Sequence, residues 1–201
     1  QIQSLTGESM RMVLVSLLVA SVPASAQSGG VRSSSITLDS TTKLELVNAR
    51  ALWVDYRGRR ALKLVPLQGS EQGADQAMMA VLPGSDFKDG TIELEVAGAP
   101  RPGAPPDSRG FIGISFRTGA RGERSEVFYL RPTNGRANDQ LRRNHSVQYV
   151  SHPDFPWQRL RRETPGVYES YADLEPGVWT GMKIVAAGTT SRAPPAIVPG
   201  Q

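Results

Sequence analysis

A chain of 201 residues with 39% hydrophobic and 21% charged residues has room for one packed domain, and it has the composition of neither a disordered polymer nor a membrane bundle. Its net charge of +4 comes mostly from arginine, lysine being confined to Lys43, Lys63, Lys88 and Lys183. These basic residues are spread among acidic ones, so we expect no nucleic-acid partner, and the absence of cysteine excludes disulfides, thiolate nucleophiles and cysteine-type zinc sites together.

The chain opens on residues 1–9, which precede the first methionine and fit no targeting pattern. Residues 10–26 read as a signal peptide: a short basic start at Met10-Arg11-Met12, an apolar run from Val13 to Val22, and a small-x-small site at Ala24-Ser25-Ala26. A membrane anchor needs ~20 apolar residues, and this run is shorter and ends in Pro23. We therefore expect cleavage before Gln27, a secreted or periplasmic protein, and no membrane span afterwards. Residues 27–35, rich in Gly and Ser, form a flexible spacer. The folded domain is expected over 36–190, followed by an irregular proline-rich tail at 191–201.

Within the domain, apolar and alternating segments follow one another with turn signals between them, and none carries a sustained helical stripe. The predicted strands are 44–47, 51–56, 61–66, 77–82, 91–96, 111–117, 126–131, 145–151 and 179–186. Arg57-Gly58-Arg59 reads as a hairpin connection, and Asp89-Gly90 opens a strand. Residues 155–162 form at most a short helix between Pro153, Pro156 and Pro165. Many short strands separated by Gly and Pro turns predict an all-β fold, a sandwich or barrel.

Period-two alternation divides the faces. Ile92, Leu94 and Val96 share one side and Glu93 and Glu95 the other. Ile112, Ile114 and Phe116 suit a core, leaving Gly113, Ser115 and Arg117 opposite. Phe128 and Leu130 likewise suit a core, which places Tyr129 and Arg131 with Arg117 on an open face.

Four segments taken together resemble a known family. They are Phe87-Lys88-Asp89-Gly90 running into Thr91 to Val96, Gly110-Phe111 to Arg117, Phe128-Tyr129-Leu130-Arg131-Pro132, and Val178-Trp179-Thr180-Gly181-Met182-Lys183-Ile184-Val185. In order and spacing over 36–188 they resemble the concanavalin A-like lectin/glucanase superfamily, most closely bacterial exported domains of the 3-keto-disaccharide hydrolase type. The resemblance implies a jelly-roll β-sandwich of two antiparallel sheets, one concave, with sugar bound across the concave face. The tail departs from it, because Pro194, Pro195 and Pro199 forbid a central strand. A truncated or frame-shifted end that exposes a sheet edge is the expectation there.

Carbohydrate is thus the expected partner. Sugars are bound by aromatic faces flanked by planar hydrogen-bond donors, and Arg117, Tyr129, Arg131, Asn134, Gln148 and Trp157 are the candidate contacts. The alternative for these side chains is structural, with Trp157 capping the core and the arginines paired with Glu126, Asp139 or Glu163. Trp53 and Trp179 are expected in the core. No catalytic residue is assigned. Glu93 and Glu95 invite comparison with paired glycosidase carboxylates but read as a solvent-facing pair, and Glu126 with His145 is the nearest carboxylate-base combination for a glycoside-cleaving enzyme. His145, His152 and Asp154 make a poor metal set. Asp86 and Asp89 could ligate a structural calcium, although an Asp-Gly turn explains them without one, and no cofactor is expected. A laminin-G-like adhesion role is the third reading.

Overall fold

The computed structural model describes residues 14–15, 34–67, 78–85, 87–119 and 124–188. Most of the leader and spacer, Ala77, Asp86 and the tail beyond 190 lie outside the described residues. In chain order the strands are β1 (Leu14–Val15), β2 (Glu45–Val47), β3 (Ala49–Tyr56), β4 (Arg59–Pro66), β5 (Met79–Val81), β6 (Gly90–Val96), β7 (Ile112–Phe116), β8 (Ser125–Leu130), β9 (Val147–His152), β10 (Glu169–Ser170) and β11 (Thr180–Ala186). A 3-10 turn (Pro132–Asn134) and the short helices α1 (Gln140–Asn144) and α2 (Trp157–Glu163) fall among the later strands. The fold is all-β.

Every strand pairing is antiparallel. One sheet has the order β11-β6-β1-β4-β3, a second has β10-β9-β8-β7, and β2 pairs with β5 alone. The β3–β4 connection is two residues long, Arg57 and Gly58, with φ of 47° and 77°. Both angles are positive, as a type I′ hairpin turn demands, and this pins the register Tyr56↔Arg59 through Ala49↔Pro66. Arg59 consequently begins a strand instead of lying in the turn.

One apolar cluster draws on both large sheets: Leu62 and Leu64 of β4, Leu94 and Val96 of β6, and Met182 and Ile184 of β11 join Ile112, Leu130 and Val147 from the other sheet. The alternation in β6 falls as predicted. Leu94 and Val96 are buried, while Glu93 pairs with Lys183 and Glu95 with Arg59 on the outer face. Trp53 packs against the cluster; Trp179, half-buried, sits edge-on to Tyr56 and donates from Nε1 to the Tyr56 carbonyl.

The structure departs from the sequence reading in the segment before β9. Expected as strand from His145, this stretch instead continues α1, whose N-cap Asp139 accepts a hydrogen bond from the Arg142 N–H at 2.6 Å and whose C-cap is His145. β9 therefore starts at Val147.

Burial separates the consequences of trimming either face. Ile112 is fully enclosed, so Ile112→Ala should cost about 2–5 kcal/mol, whereas Val185, 66% exposed on β11, should tolerate Ala within about 0.5 kcal/mol. Urea denaturation of both variants checks this, and equal midpoints would contradict the assignment of inner and outer faces.

Candidate functional site

The register of β7, β8, β9 and β10 brings Gly113, Tyr129, Gln148 and Glu169 into one row across the sheet. Since side chains alternate, these four share a face. Glycine is required at the first of them: a Cβ on Gly113 would run into the Phe128 carbonyl oxygen and the Tyr129 backbone. Arg131, two residues beyond Tyr129, leans back over this row with its guanidinium carbon 5.1 Å from the Tyr129 ring centroid and 5.6 Å from that of Phe111.

Here the expectation of an open face is corrected. Tyr129, Arg131, Asn134 and Gln148 are buried, Gln148 completely. The chain from Pro132 to Ser146 turns back beside the sheet, and its carbonyls take up the donors: Arg131 Nη1 and Asn134 Nδ2 both donate to the His145 carbonyl, at 2.9 and 3.1 Å. Arg131 Nη2 donates to Tyr129 Oη at 3.1 Å and to Gln148 Oε1 at 3.2 Å, while Gln148 Nε2 donates to the carbonyls of Tyr149 and Tyr168. Among the described residues, no buried side-chain nitrogen or oxygen is left without a partner.

The charge balancing Arg131 is Glu169, a buried carboxylate that sequence reasoning missed. Its Oε1 lies 3.4 Å from Arg131 Nη1, and Arg161 of α2 clasps both of its oxygens, through Nη2 on Oε1 and Nε on Oε2 at 3.0 Å. His145 Nε2 is 3.5 Å from Oε2. Arg161 in turn lies over Trp157, its guanidinium carbon 4.7 Å from the ring centroid. Four of the six predicted contacts (Tyr129, Arg131, Asn134 and Gln148) therefore form one cluster, and Trp157 joins it through Arg161 and Glu169.

Arg117 does not join. At a φ of 50° it leaves the strand and clasps Glu126 at 2.7 Å, Asp89 at 2.9 Å and the carbonyls of Lys88 and Gly188. The hydrogen bond to Glu126 chiefly, with the charges of Glu126 and Asp89, raises its pKa further. Asp89 is thus an ion-pair partner. Glu126 also accepts from Tyr149 Oη at 2.7 Å, and burial followed by that contact pushes the phenol pKa up. Glu126 and His145 stand in separate clusters: Glu126 is held by Arg117 and Tyr149, whereas His145 lies beside Glu169. No group of three or more potential metal ligands occurs among the described residues.

What reaches the surface is a rim of three side chains above Glu169: Trp157 and Arg161, both part-exposed, and His145, with 21% of its side chain exposed. Arg161 commits Nε and Nη2 to Glu169, and among the described residues its Nη1 donates to nothing. Burial, with the nearby charges of Arg161 and Arg131, outweighs the attraction of Glu169 and lowers the His145 pKa, so at neutral pH the imidazole is uncharged. His152 is lowered by burial alone. Compared with family models, curated proteins and solved structures, the chain matches none.

Two outcomes follow from this geometry. Removing the Glu169 charge leaves Arg131 buried and uncompensated, so Glu169→Gln should destabilise the fold by about 3 kcal/mol, read as a drop in the urea midpoint; an unchanged midpoint would mean the carboxylate is not the counter-charge. Acidification should also destabilise. Both histidines have folded pKa values below the ordinary 6.5, so the unfolded chain binds protons first and stability falls as pH drops from about 6.5 toward the folded values. The melting temperature measured from pH 7.5 to 5 should show that decline, and it should flatten in the His145→Asn/His152→Asn double variant.

Proposed function

We propose that the chain is an exported, concanavalin A-like jelly-roll module that binds a carbohydrate at the rim formed by Arg161, Trp157 and His145. The observation that carries this reading is the Arg161 guanidinium, fixed in place by Glu169 on one side and the Trp157 ring on the other, with Nη1 still able to donate. A sugar hydroxyl needs a pre-oriented donor, because an arginine free to rotate loses side-chain entropy on binding. The neutral imidazole of His145 adds a group that can donate and accept, and the part-exposed Trp157 indole supplies apolar area against a ring C–H face. The buried members (Arg131, Gln148, Tyr129 and Asn134) act beneath the rim, as the support that holds Glu169 and therefore Arg161. No helix among the described residues is long and apolar enough to cross a membrane.

A second reading, a glycoside-cleaving enzyme, is favoured by one contact, that of His145 with Glu169. A general acid or base has to exchange its proton with a bound substrate. Glu169 is enclosed by two guanidinium groups, so binding has the stronger support.

Calorimetric titration with a panel of oligosaccharides tests the proposal, with product analysis of the same mixtures for released monosaccharide. Binding to at least one glycan is expected, weakened by ~1 to 3 kcal/mol in Trp157→Ala, the magnitude of aromatic platforms for planar ligands, and reduced likewise in Arg161→Ala. Arg117→Ala should lower the melting temperature and leave affinity unchanged. The absence of binding at millimolar sugar, or loss of affinity only in proportion to loss of folded protein, would refute the assignment.

A further inference from the structure

Ion pairing is uneven over this chain. Arg59, Arg117, Arg136 and Arg159 each meet at least one carboxylate, Arg117 and Arg136 two apiece. Around the rim the balance is reversed, for Arg131 and Arg161 share the single carboxylate of Glu169. Arg142 and Arg143 of α1, both half-buried, hydrogen-bond through their side chains to neutral acceptors: Asn134 Oδ1 and Thr133 Oγ1 for Arg142, the Ala137 carbonyl and Gln140 Oε1 for Arg143. Asp139, the one acidic residue between Arg131 and Ser146, accepts from the Arg142 main-chain N–H. Arg131, Arg142, Arg143 and Arg161 thus stand against Glu169 and Asp139, and adding Arg136 with Asp173 and Glu175 still leaves cations in excess. These groups are continuous: Arg142 holds Asn134, Asn134 and Arg131 both donate to the His145 carbonyl, and His145 closes α1 just after Arg143 and Asn144. Nε of Arg161 and Nε2 of His145 approach the same oxygen, Glu169 Oε2, so these two rim groups stand side by side.

We propose that the sugar taken by this rim is an acidic one, a uronic acid residue whose carboxylate lies against Arg161 Nη1 and the His145 imidazole. The inference rests on the reading of the rim as a sugar site and narrows its ligand. Guanidinium charge left unbalanced on half-buried ground creates a positive potential that a carboxylate relieves, and a charge-assisted hydrogen bond from Arg161 is stronger than one to a hydroxyl. Arg142 and Arg143 add to that potential through their charge. A hexuronate keeps the C–H ring face of a neutral sugar, so Trp157 serves either. The imidazole responds to such a ligand. In the free protein burial lowers the His145 pKa, and Arg161 of α2 and Arg131 at the end of β8 add to this against the attraction of Glu169 on β10 and Asp139 at the start of α1. A carboxylate bound beside the ring brings one more negative charge and raises that pKa, so binding draws in a proton and tightens as pH falls. A neutral sugar draws in none.

Calorimetric titration of the full chain with short oligomers of galacturonate, glucuronate and mannuronate, each beside its methyl ester, tests this, because esterification removes the charge and keeps the ring. At least one acid should bind about tenfold more tightly than its ester, the scale on which a charge-assisted hydrogen bond exceeds a neutral one, and the gap should shrink as salt is raised. Titrations at about pH 6.5 in two buffers of different ionisation enthalpy should show proton uptake with the acid, none with the ester, and none with either in His145→Asn. Arg161→Gln, which drops the charge and keeps an amide donor, should bring acid and ester together. If that variant does not fold, Arg143→Gln reads the same loss as a narrower gap. Esters or neutral oligosaccharides binding as tightly as the acids would overturn the acidic ligand and leave the sugar rim standing, as would a preference for sulfated sugars over uronates. Binding of no saccharide, charged or neutral, would strike the sugar reading and this proposal with it. An acid–ester gap that survives both arginine substitutions would put the carboxylate elsewhere and overturn the assignment.

Discussion

The polar face of the four-stranded sheet depends on one buried carboxylate. Arg131 can be enclosed because Glu169 supplies a counter-charge and Tyr129, Gln148 and the His145 carbonyl accept from its Nη1 and Nη2 groups. A guanidinium in a low-dielectric interior without those partners would cost several kcal/mol. The two-residue strand β10 places this carboxylate, since pairing Glu169 opposite Gln148 sets it in the same row as Tyr129. Arg161 reaches the same oxygens from α2, so the helix, the strand and the chain preceding β9 are tied to a single group. Such a network is worth having only when complete, because each unmet donor would be as costly as the contact it lost.

Much of the fold was legible because it is local. The alternation of Ile92 to Val96 and the turn at Arg57-Gly58 fix faces and register from neighbouring residues, and strands duly lie there. Alternation also grouped Tyr129 with Arg131 correctly. It could not say whether their face was covered, because cover comes from residues 132–146 and from β10, which is close only in space. Glu169 and Ser170 are too few to display a period, and their pairing is set by Gln148 and Val147 of β9, more than twenty residues earlier. The helix α1 had a readable signal, Asp139 three residues before Arg142, in the position of a capping side chain. Trp157 was visible as an aromatic near the candidate cluster, but its partner Arg161 is one helical turn away on the same face, a relation that appears only once α2 is recognised as helix.

The preference for arginine over lysine has a geometric cause here. Arg117 meets four acceptors drawn from the approach to β6, from β8 and from the end of β11. Its left-handed backbone turns the side chain out of the strand to do so. Five donors in a rigid fork can satisfy carboxylates and carbonyls at fixed separations; three donors on one ammonium nitrogen cannot span them. Arg136 uses the same fork between Asp173 and Glu175, though in solvent, where screening leaves it a small effect on stability.

The same geometry accounts for the division of labour around Glu169. Arg131 packs beside the Phe111 and Tyr129 rings, which also contact each other, and spends its Nη donors inward. Arg161 faces the same carboxylate from the surface side, and its fork permits a two-point grip that still leaves one nitrogen outward. A lysine at 161 would reach one oxygen or the solvent, and would present no planar face to Trp157. Fixing an outward-facing donor at this edge of the sheet thus requires a buried carboxylate, an inner guanidinium to hold that carboxylate, and an aromatic ring to set the plane of the outer guanidinium.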